Sequence, residues 1–585
     1  MTNTENNASK NEAVKLTLDD CRRLTGKSLL WEKPGSILDA FVDGIDKKQV
    51  VEQWSIYVKQ LLDDVNWSTE STCFRIFEDG VSLAISAPLD ALYAACEINE
   101  EAWKLTCEHF ISNDENLLTA QEQVTISYCE TVENIKKLIA VEKNPNLMNL
   151  IALAQQNNVP YLVDDDDFSL GYGANAQTWS VLNLPKLESI HWQQYHALPL
   201  ALVTGTNGKS TSVRIMSQIV KASGKCCGVT STDFIRVGEK IIDYGDYSGP
   251  GGARMLLRHP ETEFGILEVA RGGILRRGLP IDHVDAALIT NIAEDHLGQY
   301  GINTVEALAT AKAVVAKALT AGTLVLNADD HYLVELAPSL NVKKCWFSLT
   351  EDNPVLQRNK LDGGAICFVR GDNLVYCDNI GNECTLVNVN EIPMTLNGAA
   401  KHNIQNALGA IGLAKSLGIE NSAIFNALTA FSSNIDDNPG RGNQFEINGA
   451  KVVMDFAHNV HSMDAMANTT ANMPAKRKYL MLSHAGDRSD DEIINMTKSA
   501  LKMQPDVLIT AELSDYLRGR ELGDIPKLMA ETAKKYGMAE ENIIFTDNPV
   551  TGTKAIIERL KADDLALLMV LSNRDEVVEL LKNNN

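Results

Sequence analysis

Residues 201–211 read ALVTGTNGKST, an apolar strand running into a glycine-bounded loop that ends in Lys-Ser-Thr. No other stretch limits the fold as strongly, because a buried strand, a tight anion-binding turn and a helix start must follow one another within a few residues. Gly205 and Gly208 let the backbone bend and turn its N–H groups toward an anion, Lys209 supplies a cation, and Ser210 offers a hydroxyl to Mg²⁺. Val203 stands where the general phosphate-loop pattern has its first glycine, so the loop is a compact variant. Thr204, Gly205, Thr206, Asn207, Gly208, Lys209, Ser210 and Thr211 are the expected nucleotide contacts, and ATP is the expected nucleotide.

A chain of 585 residues exceeds what one hydrophobic core supports, so several domains are expected. Charged residues make up 22% and apolar ones 45%, as in ordinary globular proteins. The net charge of −24 argues against nucleic acid or an anionic membrane as partner. Eleven scattered cysteines, with only Cys226–Cys227 adjacent, read as reduced and mostly buried thiols of a cytoplasmic protein. The polar start MTNTENNASKNEA has no apolar core and does not read as a signal peptide. No run reaches the length of a membrane span.

Three regions separate on pattern. Residues 1–195 mix strand-like alternation (73–87) with helical stretches (89–110), which suggests an α+β domain. The acidic run in VPYLVDDDDFSLGYG reads as a solvated turn. Residues 196–437 alternate short apolar strands with helices, including Lys209–Ala222 and Thr304–Leu319, and predict a parallel, doubly wound α/β sheet. A second α/β unit, 438–585, follows the turn DDNPGRG (436–442). Ligands of such sheets gather at the carboxyl ends of the strands.

The polar residues at those ends are the candidate site. Glu268 ends the strand in FGILEVA and is placed to hold Mg²⁺, or else to pair with Arg271. Asn291, Asp295 and His296 follow the strand in ALITNI. Lys312, on a helix, reads by itself as a solvated charge. Asn403 and Asn406 share one face of the helix KHNIQNALGAIGLA, which reads as a capped helix. Arg441, Asp455, His458 and Asn459, with HAGDR (484–488), cluster near strand ends of the last region and could clamp phosphate and ribose.

With TGTNGKST, LEVARGGILRRGL, TNIAEDHLG, KHNIQNALGAI, GRGNQFEINGAKVVMDFAHN and AGDRSDDEI in place, residues 198–585 resemble the Mur ligases, most closely the Mur-like part of cyanophycin synthetase. The resemblance implies a central P-loop parallel-sheet domain and a C-terminal Rossmann-like α/β domain. It implies that ATP phosphorylates a carboxylate and that an amine then attacks the acyl phosphate to form an amide. It gives Lys209 the γ-phosphate, Ser210 and Glu268 one Mg²⁺, and His296 a second. Lys312 takes the position of a lysine that many relatives carbamylate. Asn403 and Asn406 face the adenine side, and Arg441 and Asp455 reach ATP from the last domain. Residues 1–195 weakly resemble the leading domain of the same family.

Two departures follow. The family's ATP-grasp domain is missing between VPYLVDDDDFSLGYG and the phosphate loop, so the chain looks like a cyanophycin synthetase with its first site deleted. Val460 stands where relatives carry proline after His-Asn. Charged residues of ELSDYLRGRE (512–521) suit a charged amino acid such as arginine as amine donor, joined to an aspartate-type carboxylate on a small molecule or peptide. The resemblance also implies a dimer or tetramer. The competing expectations are a catalytically inactive nucleotide-binding partner or regulator, and a ligase of folate or cell-wall peptide.

Overall fold

The computed structural model describes residues 14–111, 117–435 and 438–584. The polar N-terminal tail, 1–13, lies outside them, as do Asp436 and Asp437 of the turn read at 436–442. The described residues divide into two compact units. One comprises residues up to Thr204, Cys226–Asp285 and His296–Thr320; the other comprises Gly205–Lys225, Ala286–Asp295 and Ala321 onward.

The first unit begins with strands β1 (Lys15–Leu24), β2 (Gly35–Asp43), β3 (Thr72–Phe77) and β4 (Gly80–Ser86), an antiparallel sheet in the order β1-β2-β4-β3. The helix Lys47–Asp64 starts where the Asp46 carboxylate accepts from Lys48 N. It buries Val50, Val51, Trp54, Val58, Leu61 and Leu62, a stripe at three- and four-residue spacing. Trp54 is wholly enclosed against Leu38, Leu83 and Ile98, and its indole N–H is satisfied by Asn99 Oδ1 at 3.1 Å. This sheet with helices is the α+β arrangement expected for the region.

Strands β5 (Tyr161–Val163), β6 (Asp167–Leu170) and β7 (Gln177–Ser180) form a small antiparallel sheet. The acidic run is the β5–β6 turn, but it is not merely solvated. Asp164 accepts from Arg258 at 2.7 Å, and Asp165 accepts from Arg23 at 2.6 Å. Strands β8 (Leu200–Thr204), β9 (Cys227–Thr230), β10 (Phe234–Val237), β11 (Lys240–Tyr244) and β12 (Phe264–Glu268) follow in the order β11-β10-β9-β12-β8. β12 runs parallel to both β8 and β9, with Leu267 opposite Leu202 and Thr230.

The second unit holds β13 (Ala286–Ile289), β14 (Thr323–Asn327), β15 (Lys343–Ser348), β16 (Ala365–Arg370), β17 (Asn373–Cys377) and β18 (Glu383–Asn388), adjacent in that order. β13 to β16 are parallel. Its other sheet has the order β19-β20-β24-β21-β22-β23: β19 (Asn443–Ile447), β20 (Ala450–Asp455), β21 (Lys478–Leu482), β22 (Val507–Ala511), β23 (Ile543–Thr546) and β24 (Leu565–Met569). The near-continuous apolar strands β13, β14, β22 and β24 are buried along their length, as strands covered on both faces must be.

The wholly parallel sheet expected from the alternation is therefore mixed. β9-β10-β11 and β16-β17-β18 are antiparallel. The reason is local: only Gly238-Glu239 and Gly371-Asp372 join β10 to β11 and β16 to β17, and two residues close a hairpin but cannot cross over. Gly238 (φ 55°) and Gly371 (φ 60°) take the left-handed conformation those turns need. The helix expected over Thr304–Leu319 is α-helical only from Val305 to Lys312 and tightens to a 3₁₀ stretch at Ala313–Ala318, where the β-branched pair Val314–Val315 is buried. The eleven cysteines are unpaired thiols, but only Cys227, Cys345, Cys367 and Cys377 are fully buried. Among the described residues no helix is long and apolar enough to cross a membrane.

Arg22 is the strongest polar commitment of the first unit. Its buried guanidinium donates to Asp39 Oδ2 at 2.6 Å and to the Leu275 carbonyl at 3.1 and 3.2 Å. Asp39→Ala leaves that charge buried beside a cavity, and a loss of about 3–5 kcal/mol in unfolding free energy is expected. Chemical denaturation of the variant against the parent chain measures it.

Candidate functional site

The phosphate-type loop joins β8 to the helix Lys209–Ala222. Gly208 caps that helix in the left-handed conformation, φ 84°, and a Cβ there would collide with Asn406 Oδ1. Gly205, φ 142°, leaves no room for a side chain against the Thr290 hydroxyl. Both glycines are therefore required by backbone angle and by close neighbours.

The loop is held by residues at the end of β13. Thr206 N donates to the Asn291 carbonyl at 2.8 Å, and Asn207 N donates to Asn291 Oδ1 at 2.9 Å. The Asn207 carbonyl accepts from Thr290 Oγ1 at 2.6 Å and from Asn291 Nδ2 at 3.0 Å. Thr206 Oγ1 exchanges hydrogen bonds with the backbone of Ala293. Lys209 folds back, its ammonium donating to the Gly205 and Thr206 carbonyls at 3.1 and 3.0 Å. A cation held over a ring of loop N–H groups is ready to meet an anion.

A pocket opens over this loop within the second unit. Thr206 to Thr211, Asn291, Asn403, Asn406, Arg441, Asp455 and His458 all line it. Ser210 is 6% exposed at the start of its helix. Asn403 and Asn406 do not cap their helix, which Ala400 precedes without a side-chain cap. Asn403 donates to the Met394 carbonyl at 2.9 Å and accepts from Asn406 Nδ2 at 3.2 Å, so a short amide chain runs along the helix to Gly208.

The opposite wall is the segment after β20. Arg441 lies over the Phe456 ring at 5.2 Å, and Asp455 Oδ2 accepts from Gly442 N at 2.7 Å. Burial pushes the Asp455 carboxyl up to about 6, against the opposing pull of Arg441 and of backbone N–H donors. Burial pushes the His458 imidazole down to about 4. Val460 is the first residue of the helix Val460–Ala471, which forms without the relatives' proline because Asn459 and Ser462 cap it reciprocally. Asn459 and Asn207 also join their side-chain amides in both directions, at 3.0 and 3.2 Å.

Several residues of this pocket were not singled out from the sequence. His402, Gln405, Phe456 and His461 line it. Asn207 Nδ2 also meets His461 Nδ1 at 3.0 Å, which makes that nitrogen an unprotonated acceptor. Burial, with His461 nearby, pushes His402 down to about 4. Two histidines at the starts of otherwise apolar helices were the available signal. Behind the pocket, Arg214 is 1% exposed and donates to Asn438 Oδ1 at 3.0 Å, while Asn438 reaches Thr211 Oγ1 at 3.4 Å.

In ELSDYLRGRE, Glu512 accepts from Leu513 N and Gly523 N, Arg518 pairs with Asp487, and Arg520 with Asp490. The Asp295 carboxylate stands 3.9 Å from Arg488 of HAGDR.

The remaining candidates belong to the first unit. Thr204 donates to the Val269 carbonyl at 2.7 Å. Glu268 is 2% exposed at the end of β12. Arg271 donates to the His296 carbonyl and to Gln299. His296 is exposed and left-handed, φ 49°. Lys312 is 4% exposed, so it is not the solvated charge that its position on a helix suggests.

Comparison with known proteins follows the same division. Residues 203–414 match the Mur ligase middle domain and 440–570 the Mur ligase glutamate ligase domain. Cyanophycin synthetase of Geminocystis herdmanii is 34% identical over 379 residues, 64% of this chain and 42% of that protein. The UDP-N-acetylmuramoylalanine–D-glutamate ligase of Lachnospira eligens is 24% identical over 347 residues, 59% of this chain and 65% of that protein. The chain thus spans about two fifths of the cyanophycin synthetase it matches. A solved structure of E. coli FolC with DHPP and ADP superposes with a TM-score of 0.50 at 18% identity, over 66% of this chain and 89% of that one, a likeness of fold.

Asp455 yields a pH test. Its folded pKa of about 6 lies above the ordinary 3.8, so between pH 4 and 6 the folded chain keeps a proton that the unfolded chain has released. This contribution is fully present below the unfolded value and lost as pH rises through 6, by at most about 3 kcal/mol. His402 and His458, depressed to about 4, act in the opposite sense. Unfolding free energies at pH 4.5 and 6.5 are expected to show Asp455→Asn gaining relative to the parent at the higher pH.

Proposed function

The chain belongs to the Mur ligase family, and we propose that it is an ATP-dependent amide ligase, coupling a carboxylate to the amine of an amino acid. The observation that carries the reading is the braced loop Gly205–Ser210, with Lys209 and Ser210 on a pocket whose far wall brings Arg441, Asp455 and His458. A triphosphate laid on loop N–H groups takes Lys209 from its own loop carbonyls, exchanging two neutral acceptors for a charged one. Arg441 then adds a second cation, and Asp455, ionised above pH 6, accepts from a ribose hydroxyl.

Nothing in the pocket needs to act as a covalent nucleophile. The γ-phosphoryl passes to the substrate carboxylate, ADP leaves, and the amine attacks the resulting acyl phosphate with loss of phosphate. Lys209 balances charge on the transferring group, and the surrounding side chains hold the reactants in line and limit water. Asn403 and Asn406 border the nucleotide on the side of their helix.

Mg²⁺ suits the donor chemistry, a serine hydroxyl facing the pocket and buried carboxylate. By resemblance, Ser210 and Glu268 are ligands for one ion, and His296 and Lys312 serve a second. Bound there, the ion would neutralise phosphate charge.

The division into 1–195, 196–437 and 438–585 belongs to this proposal, as does an aspartate-type carboxylate joined to a charged amine such as arginine. The curated relatives named cyanophycin synthetase support that substrate class.

Phosphate release from ATP and Mg²⁺, screened over amino acids with an acidic acceptor panel, tests the reading. Release that requires both a carboxylate and one amine, with a product lighter than their sum by one water, is the expected result. Nucleotide binding with no release under any pair would favour a regulatory binding protein. Lys209→Ala is expected to lower turnover by at least a hundredfold while circular dichroism and melting temperature stay near those of the parent. Full turnover in that variant would sink the assignment.

A further inference from the structure

The first unit contains a second cavity, of about 390 Å³, within the range that small-molecule sites occupy. None of its lining residues lines the nucleotide pocket. Three arginines face it, Arg23, Arg254 and Arg277, and so do the acids Asp90, Glu142, Asp164 and Asp165.

The arginines are not equally committed. Arg23 is spent: it forks onto both oxygens of Asp165 at 2.6 and 3.1 Å and lies 4.0 Å over the Tyr93 ring. Arg277 makes one long bond, 3.4 Å, to the Arg23 carbonyl. Arg254 approaches Asp164 Oδ2 at 3.4 Å through Nε alone, because Arg258 already holds that oxygen at 2.7 Å. The terminal nitrogens of Arg254 make no hydrogen bond. Arg254 is pulled below the usual guanidinium range by burial and by the neighbouring charges of Arg258 and Arg277. Two half-buried guanidinium groups that repel each other and keep spare N–H donors on one cavity are a carboxylate-binding arrangement.

The other wall has the opposite character. Glu142 uses one carboxylate oxygen to accept from Ala94 N at 3.2 Å, and its second oxygen is buried without a hydrogen bond. Asp90 accepts from Asn144 N at 2.7 Å and keeps its other oxygen. A dianionic phosphate facing these acids would be repelled; a ligand carrying an ammonium beside its carboxylate would be held at both ends.

We propose that this cavity binds a zwitterionic amino acid or short peptide, its carboxylate on Arg254 and Arg277 and its ammonium toward Glu142 and Asp90. The site is separate from the nucleotide pocket, and its occupancy does not depend on the ligase reading.

Calorimetric titration of the full chain without nucleotide tests it, using arginine, aspartate and an aspartyl-arginine dipeptide, with succinate and inorganic phosphate as probes lacking the ammonium. One-to-one binding of a zwitterion is expected, weakened at least tenfold by Arg277→Ala and less by Arg277→Lys. Glu142→Gln is expected to weaken the zwitterion while leaving succinate unchanged, and ADP affinity should be the same in all three variants. No binding by any zwitterion, equal binding of phosphate, or zwitterion affinity indifferent to Arg277→Ala in a chain of unchanged melting temperature would each overturn the proposal.

Discussion

The pocket of the second unit depends on one asparagine. Asn207 uses its backbone N–H and carbonyl to bind Asn291 and Thr290, and its side chain to bind Asn459 and His461. One residue therefore fixes the loop to the end of β13 and ties it to the start of the helix Val460–Ala471. A loop of small residues pays heavily in conformational entropy when it orders. Here the ordering is shared among short hydrogen bonds whose donors and acceptors are otherwise shielded from water, so a break in one leaves others unsatisfied.

The same economy explains why Lys209 rests on its own loop carbonyls. An ammonium over an empty ring of N–H dipoles is poorly solvated unless neutral oxygens receive it. The two carbonyls do so without neutralising it, and the charge stays available to a stronger acceptor. Nearby groups are adjusted in a consistent direction. His402, His458 and His461 are all held toward the neutral form by burial, which keeps extra positive charge out of the pocket near neutral pH and leaves Lys209 and Arg441 as its cations.

Polar commitments outside the pocket follow a different rule. Arg22 with Asp39, Arg258 with Asp164, and Arg214 with Asn438 are buried or half-buried pairs whose donors are nearly all used. Such pairs specify how segments distant in sequence meet more than they add stability. Arg254 and Arg277 stand apart because their donors are only partly used where a cavity opens.

The sequence determined the periodic and the punctuated features. Apolar runs located β8, β12, β13, β14 and the strands of the last sheet, since a strand buried on both faces must be apolar throughout. The helix Lys209–Ala222 and both loop glycines were legible because an anion-binding turn admits few residue types. Tertiary structure decided the rest. It made the sheets mixed, through two-residue turns that no helix interrupts. It buried Lys312 on a helix whose local pattern gives no sign of it, because burial depends on what packs over a face and not on the spacing along it. It also placed His402 and His461 beside Asn207, and Arg277 beside Arg254. Such meetings join residues tens or hundreds of positions apart, and a single chain carries no local mark of a partner that only folding brings near.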